Sequence, residues 1–269
     1  MASPTRLAVH YLPQFIPQSD LAGTTVVVID QLRASSTVCT ALAAGAAEVV
    51  PLAEIDHALQ AADGVPREEI LLGGERGGER IEGFDLGNSP AEYTPERVFG
   101  KRILFTTTNG TRAIEYAHLA SRIVMGCALN AAAVASHVAR DGEIHLLCAG
   151  TDGHVSRDDL LAAGLIVDRL LSHSDQGWEL NEGAEATHRE WQELVTTAVA
   201  LDRTLSQQLA IELRETQGGQ NLLDIGHDDD LVTCAQIDLL KVVPELDPAR
   251  GCLVAGENLP PSSSRDLMG

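Results

Sequence analysis

Four clusters in this 269-residue chain combine acids, arginines, hydroxyls and glycines at spacings suited to work on an anion. The first is Asp30-Gln31-Leu32-Arg33-Ala34-Ser35-Ser36-Thr37. An acid that closes a buried strand can hold Mg²⁺, and an arginine three residues on can grip a phosphate in its fork of N–H donors. Ser35 and Ser36 suit the cap of a following helix, whose first N–H groups would then face an anion. The second cluster, Gly73-Gly74-Glu75-Arg76-Gly77-Gly78-Glu79-Arg80, offers Glu75 as a metal ligand or base and Arg76 as a clamp for phosphate or sulfonate. Its glycines allow close backbone approach to a ligand. In the third, Thr106 to Arg112, the groups of Thr107, Asn109, Gly110 and Thr111 suit phosphate oxygens at a helix start. The fourth runs from Cys148 to Asp159 and supplies Asp158 and Asp159 as further candidate metal ligands, with His154 as a candidate acid or base.

Each cluster also has a plain structural reading. The first could be a strand-to-helix turn with a surface ion pair, and the second a solvated charged loop. The third could be a capped turn in which Asn109-Gly110 supplies positive φ. In the fourth, Asp158 and Asp159 fall in a first helical turn, where the macrodipole favours carboxylates anyway. Neighbouring helical residues point about 100° apart, so only one of the two is expected to face a site. His227-Asp228 looks like a metal dyad without its other ligands and reads better as a solvated helix start. No Walker pattern occurs, which argues against a nucleotide P-loop.

These clusters need elements to position them. Thr25 to Asp30, Glu48 to Leu52, Ile70 to Gly73, Arg102 to Thr107, Arg122 to Gly126 and Glu143 to Cys148 read as short apolar strands. Helical stretches separate most of them, near 35–44, 54–62, 111–119 and 130–139, and another follows near 158–172. Such alternation predicts an α/β fold with a mostly parallel sheet covered on both faces. Ligands bind at the C-terminal strand ends of such sheets, and all four clusters lie there. After Ser172 the texture becomes polar and helical, with helices expected near 190–200, 204–215 and 229–239. Gly218-Gly219 reads as a break. Val242 to Leu246 is expected as an edge strand, because its proline is unsuited to a central one. One domain over residues 1–255 is expected, with residues 256–269 a disordered Pro- and Ser-rich tail.

Lys and Arg number 19 against 39 Asp and Glu, a net charge of −20. Such a surface repels nucleic acid and anionic membrane, so neither is an expected partner. It repels an anionic substrate too, so binding a phosphate would need a local cluster of arginines, backbone N–H groups or a metal. Five cysteines without a CxxC spacing fit reduced, buried thiols. No signal peptide or membrane span is evident, and a cytoplasmic protein is expected. A homodimer is a base-rate expectation.

Taken in order, the clusters resemble the 2-phosphosulfolactate phosphatase family. The matching stretches are Val28 to Thr37, Gly74-Glu75-Arg76, Gly83-Phe84-Asp85-Leu86-Gly87-Asn88-Ser89-Pro90, Thr106 to Thr111, Cys148 through Asp159 to Gly164, and Asp230 to Ala235. The resemblance implies a three-layer α/β/α fold with a mostly parallel or mixed sheet. It also implies a Mg²⁺-dependent phosphatase of coenzyme M biosynthesis, acting on (2R)-phospho-3-sulfolactate or on another small phosphorylated hydroxy acid. The chain departs from the pattern at Arg157, where an uncharged residue is expected, and over Gln217 to Asp224.

On that reading Asp30, Glu75 and one of Asp158 or Asp159 hold Mg²⁺, and Arg33 and Arg76 bind the phosphate and the second anionic group. Thr107, Asn109, Gly110 and Thr111 donate to phosphate oxygens, and a water or Asp30 itself attacks phosphorus. Other phosphatase chemistries lack their residues. Leu32 stands where an Asp-x-Asp motif needs its second acid, His154 stands where Cys-x5-Arg needs arginine, and Arg-His-Gly is absent. A lyase or isomerase at the same strand ends, or a non-catalytic sensor of an anionic metabolite, remains open.

Overall fold

A computed structural model describes residues 5–173 and 177–256. The tail expected to be disordered therefore lies outside the described residues, apart from Gly256. Eleven strands and ten α-helices follow one another in the chain among the described residues. The first part runs β1 (Thr5–His10), β2 (Thr25–Ile29), α1 (Ala34–Ala43), β3 (Glu48–Pro51), α2 (Ile55–Ala62), β4 (Ile70–Arg76), β5 (Glu79–Arg80) and α3 (Pro95–Val98). It continues with β6 (Arg102–Thr106), α4 (Gly110–Tyr116), β7 (Arg122–Gly126), α5 (Ala131–Val138), β8 (Glu143–Cys148), α6 (Arg157–His173) and β9 (Trp178–Leu180). Helices α7 (Glu182–Ala200), α8 (Leu205–Arg214), α9 (Gln217–Asp224) and α10 (Asp228–Cys234) precede the final hairpin, β10 (Pro244–Asp247) and β11 (Cys252–Ala255).

The strands form one mixed sheet in the order β5-β4-β6-β3-β11-β10-β7-β2-β8-β1-β9. It holds two parallel blocks, β4-β6-β3 and β7-β2-β8-β1-β9, joined by the antiparallel hairpin β10–β11. Helices cover both faces, giving the three-layer α/β/α architecture. Strand β2 shows why the sequence dictates this. Val27 and Ile29 enter one core with Leu161 and Ile166 of α6, Trp191 of α7 and Leu231 of α10. Val26 and Val28 enter the other with Val38 and Leu42 of α1 and Ile114 of α4. A strand buried on both faces must be continuously apolar, as Val26 to Ile29 of β2 are.

Four features differ from the sequence expectations. The stretch Val242 to Leu246 becomes an inner strand, not an edge. Pro244 is the first residue of β10, where a missing N–H is tolerated, and β10 lies between β11 and β7. Gly218-Gly219 lies inside α9 and does not break it. The cap is Thr216, whose hydroxyl accepts the Gly219 N–H at 3.0 Å. A Cβ on Gly219 would strike the carbonyl oxygen of Leu213, so glycine serves close packing there. Helix α7 begins eight residues before the expected 190, capped by Asn181, whose side chain also bonds the Val9 backbone of β1. Helix α10 ends at Cys234, before the expected 239. The five thiols are buried and free. No helix among the described residues is long and apolar enough to cross a membrane.

Candidate active site

A pocket of about 260 Å³ opens where the ends of β2, β4, β6 and β8 meet α9. That is near the lower end of the usual size for small-molecule sites. Asp30, Arg33, Glu75 and Asn109 line it, four of the residues singled out from the sequence. Their elements come from both parallel blocks of the sheet. Contact between the blocks depends on Gly110, whose absent Cβ would lie 2.9 Å from Asp30 Oδ2 and 2.8 Å from Ala34 Cβ. Any side chain there would push the start of α4 away from the end of β2. Neither Asn109 nor Gly110 has positive φ, so the plain-turn reading of that cluster does not describe it.

Each carboxylate is held by backbone or hydroxyl donors. Asp30 Oδ1 accepts the Ala34 N–H at 3.0 Å. Glu75 Oε1 accepts from the N–H and hydroxyl of Thr108 at 2.9 and 3.2 Å, and Oε2 accepts the Gly78 N–H at 2.7 Å. Strand β4 is longer than expected, and its hairpin with β5 positions that glutamate. Asp159 accepts the Gln31 N–H on Oδ1 at 2.8 Å and the Gly150 N–H on Oδ2 at 2.9 Å, which ties the loops after β2 and β8 together. Asp158 Oδ1 accepts from Ser156 Oγ at 2.5 Å and lies beneath Gly218 of α9.

These four acids are buried, and Asp30 lies within electrostatic reach of the other three. Burial pushes the Asp30 carboxyl up to about 7; the Ala34 N–H opposes this, and the charges of Asp158 and Glu75 add to it. Burial also raises Asp158. Asp159 is raised well above the usual carboxylate range by burial, then by Asp158 and Asp30. Like charges gathered out of water favour protonation unless a cation joins them. Arg33, the arginine that lines the pocket, makes its ion pair with Asp230 and not with these acids.

The donor set therefore suits a hard cation. Mg²⁺ needs only one or two protein carboxylates, with water and substrate oxygens completing its shell. Asp30 and Glu75 meet that need because both face the pocket. A ready-made cage is absent: no group of three His, Cys, Asp or Glu side chains among the described residues is placed to hold a metal ion. Asp158 and Asp159, expected as ligands, do not line the pocket; Asp158 Oδ1 and both Asp159 oxygens accept hydrogen bonds from its surroundings.

The other expected site residues divide in the same way. Arg33 lines the pocket, yet its NH1 donates to Asp230 Oδ2 at 2.6 Å and its NH2 to the Gly78 carbonyl at 2.6 Å. Arg76 is not a pocket residue. Its guanidinium donates to the carbonyl oxygens of Glu75 and Ala53, because side chains alternate along β4 and Glu75 takes the inward direction. Thr107, Gly110 and Thr111 are buried behind the pocket wall, and the Thr111 hydroxyl is used on the Thr107 carbonyl. His154 is exposed and meets Thr151 through backbone bonds. Arg157, the departure from the family pattern, bridges Glu190 and Glu212 away from the pocket.

Sequence reasoning missed several pocket residues. Thr108 lies within the third cluster and Thr151 and Asp152 within the fourth, where the sequence alone assigns them no role, and Asn88 belongs to one of the stretches that carried the resemblance. Asn221, Leu222 and Ile225 come from the C-terminal helical section, where no chemical signal marks them. His227 opens α10, as the helix-start reading has it, and contacts Asp230 Oδ2 at 3.3 Å, while Asp228 pairs with Arg214 at 3.3 Å.

The chain matches a family model described as 2-phosphosulpholactate phosphatase over residues 10–248. It is 42% identical over 229 residues to a probable 2-phosphosulfolactate phosphatase of Symbiobacterium thermophilum, covering 85% of this chain and 93% of the relative. A protein of the same description from Caldanaerobacter subterraneus is 38% identical over 232 residues, covering 86% and 91%. A third, from Gloeobacter violaceus, is 37% identical over 253 residues, covering 93% and 99%.

Proposed function

The chain belongs to the 2-phosphosulfolactate phosphatase family, and on that premise we propose that it hydrolyses (2R)-phospho-3-sulfolactate to 3-sulfolactate and phosphate with Mg²⁺. The observation that carries this reading is the meeting of Asp30 and Glu75 in a pocket edged by Thr108 and Asn109.

Asp30 and Glu75 would hold the metal, which when bound offsets the charge of the substrate and polarises its phosphoryl oxygens. The Thr108–Asn109 turn offers the Asn109 amide to the phosphoryl group, while Thr108 keeps Glu75 in place. Arg33 keeps further guanidinium N–H groups for an anionic oxygen, since Asp230 and Gly78 occupy only part of its fork. A water attacks phosphorus in line with the ester oxygen. The P–O ester bond breaks, the proton given up by the water ends on the departing alkoxide, and inorganic phosphate leaves. Little covalent work falls to the protein, so positioning and charge stabilisation supply the rate.

The remaining expectations stand as proposals beside this one: a cytoplasmic homodimer with no nucleic-acid or membrane partner. The test is phosphate release from phosphosulfolactate, phospholactate and phosphoglycerate, with Mg²⁺ and with chelator. Metal-dependent release favouring phosphosulfolactate, abolished by Asp30→Asn, is the expected outcome. Release favouring another acid moves the substrate within the class. Binding of all three without release leaves the sensor reading in its place.

A further inference from the structure

One buried polar side chain lining the pocket is left unanswered by the protein around it. Asn88 is 5% exposed and lines the cavity, and its Oδ1 is buried with no hydrogen-bond partner. The one hydrogen bond found at this residue is at its backbone, where Thr37 Oγ1 donates to the carbonyl at 2.8 Å. Its side-chain NH2 is therefore also without a protein acceptor among the described residues. Buried amides are nearly always paired, and an exception calls for a physical explanation.

The residue is nevertheless held firmly. Beyond the Thr37 bond, the neighbouring Ser89 hydroxyl donates to Asp230 Oδ1 at 2.6 Å, and Asp230 is the acid that pairs with Arg33. The amide is thus fixed in place at Cα and left free at its end. Its surroundings say which kind of ligand atom it would meet. Arg33 is the only Lys or Arg among the residues lining the pocket, and it is partly committed to Asp230 and Gly78. An anion entering here must rely on neutral N–H donors for the oxygens the metal does not take, and Asn88 has two to give.

We propose that Asn88 contacts the substrate, its side-chain NH2 donating to an anionic oxygen of the bound phosphorylated hydroxy acid. The proposal rests on the functional reading above for the identity of that acid. A hydrogen bond to a charged oxygen is stronger than one between neutral groups, so its loss is visible in binding. The amide also selects for charge. A carboxylate at this position, isosteric with the amide, has no N–H and repels the same oxygen.

The test compares wild type, Asn88→Leu and Asn88→Asp in the Mg²⁺-loaded full chain, with thermal midpoints confirming that each is folded. Binding of 3-sulfolactate and of inorganic phosphate is measured by calorimetry, and KM and kcat with phosphosulfolactate. Both variants are expected to bind 10- to 100-fold more weakly, about 1.4 to 2.7 kcal/mol, with the aspartate at least as weak as the leucine. The Mg²⁺ concentration for half-activation is expected to stay within twofold. Should Asn88→Leu fail to fold, Asn88→Asp alone decides, since it keeps the shape and inverts the donor. Binding and KM within twofold of wild type would overturn the proposal. So would an aspartate variant that binds Mg²⁺ tenfold tighter with product affinity unchanged, because Asn88 would then be a metal ligand. Failure of the functional reading looks different: wild type would release no phosphate from any acid, and Asn88 would still be judged on inorganic phosphate binding.

Discussion

Arg33 and Asp230 form an ion pair at 2.6 Å, with side chains only 2% and 3% exposed. They stand 197 residues apart in sequence, and the pair fastens the loop after β2 to α10. Ser89 and His227 contact the same carboxylate. Asp230→Ala would leave a guanidinium charge buried and unpaired, which costs roughly 3–5 kcal/mol. Urea unfolding should show that loss, and catalytic efficiency should fall with it because Arg33 loses its orientation. Asp230→Asn keeps an acceptor and should cost less. An alanine variant within 1 kcal/mol of wild type would mean that the pair does not hold the site together.

Arg76 gives the opposite expectation. Its guanidinium serves the carbonyl oxygens of Ala53 and Glu75, outside the pocket. Arg76→Ala should lower stability by about 1–2 kcal/mol through the lost hydrogen bonds. KM for the phosphorylated acid should stay within about threefold of wild type. A tenfold rise in KM at unchanged kcat would restore the clamp role expected from sequence.

Metal removal should be visible without any assay of turnover. The buried carboxylates of Asp30, Asp158 and Asp159 oppose folding when charged, and a cation bound by the folded state at a hundred times its Kd adds about 2.7 kcal/mol. For a chain of this size that corresponds to a rise in melting temperature of roughly 5–10 °C over chelator-treated protein. Asp30→Asn should lose the increment. If Mg²⁺ leaves the wild-type midpoint unmoved, the carboxylates do not hold it.

A pH-sensitive histidine pair lies outside the pocket lining. His10 Nε2 and His145 Nδ1 are 2.9 Å apart, and the rings stack with centroids 5.1 Å apart. Burial first, and then His145, lowers His10 to about 4, and burial lowers His145 too. The unfolded chain therefore binds more protons than the folded one between about pH 6.5 and 4, so stability rises with pH across that window. The contribution is complete above the unfolded value and is lost as pH falls towards 4. After allowance for the partly exposed His10 ring, about 2 kcal/mol is at stake. Urea midpoints at pH 4.5 and 7.5 should show the slope, and His10→Gln should flatten it. An unchanged slope in that variant would assign the acid sensitivity elsewhere.

The sequence by itself determined the alternating α/β order, because strands buried on both faces must be continuously apolar, as Val26 to Ile29 are. It also determined where chemistry could gather, because Asp30, Glu75 and the Thr106 to Thr111 turn all follow such strands. Tertiary structure alone decided which side chains face the pocket. Arg76 points away because the pleat of β4 gave the inward direction to Glu75. Asp159 became a brace because Gln31 and Gly150 took both its oxygens, and Ser156 took one oxygen of Asp158. Asn88, Asn221 and Leu222 came to the pocket from a loop and a helix whose local patterns carry no chemical signal. Pro244 entered the middle of the sheet because the joint between two parallel blocks needs its hairpin more than the proline needs an edge. Local pattern fixes which element forms; long-range packing, set by pairs such as Arg33 and Asp230, fixes what that element faces.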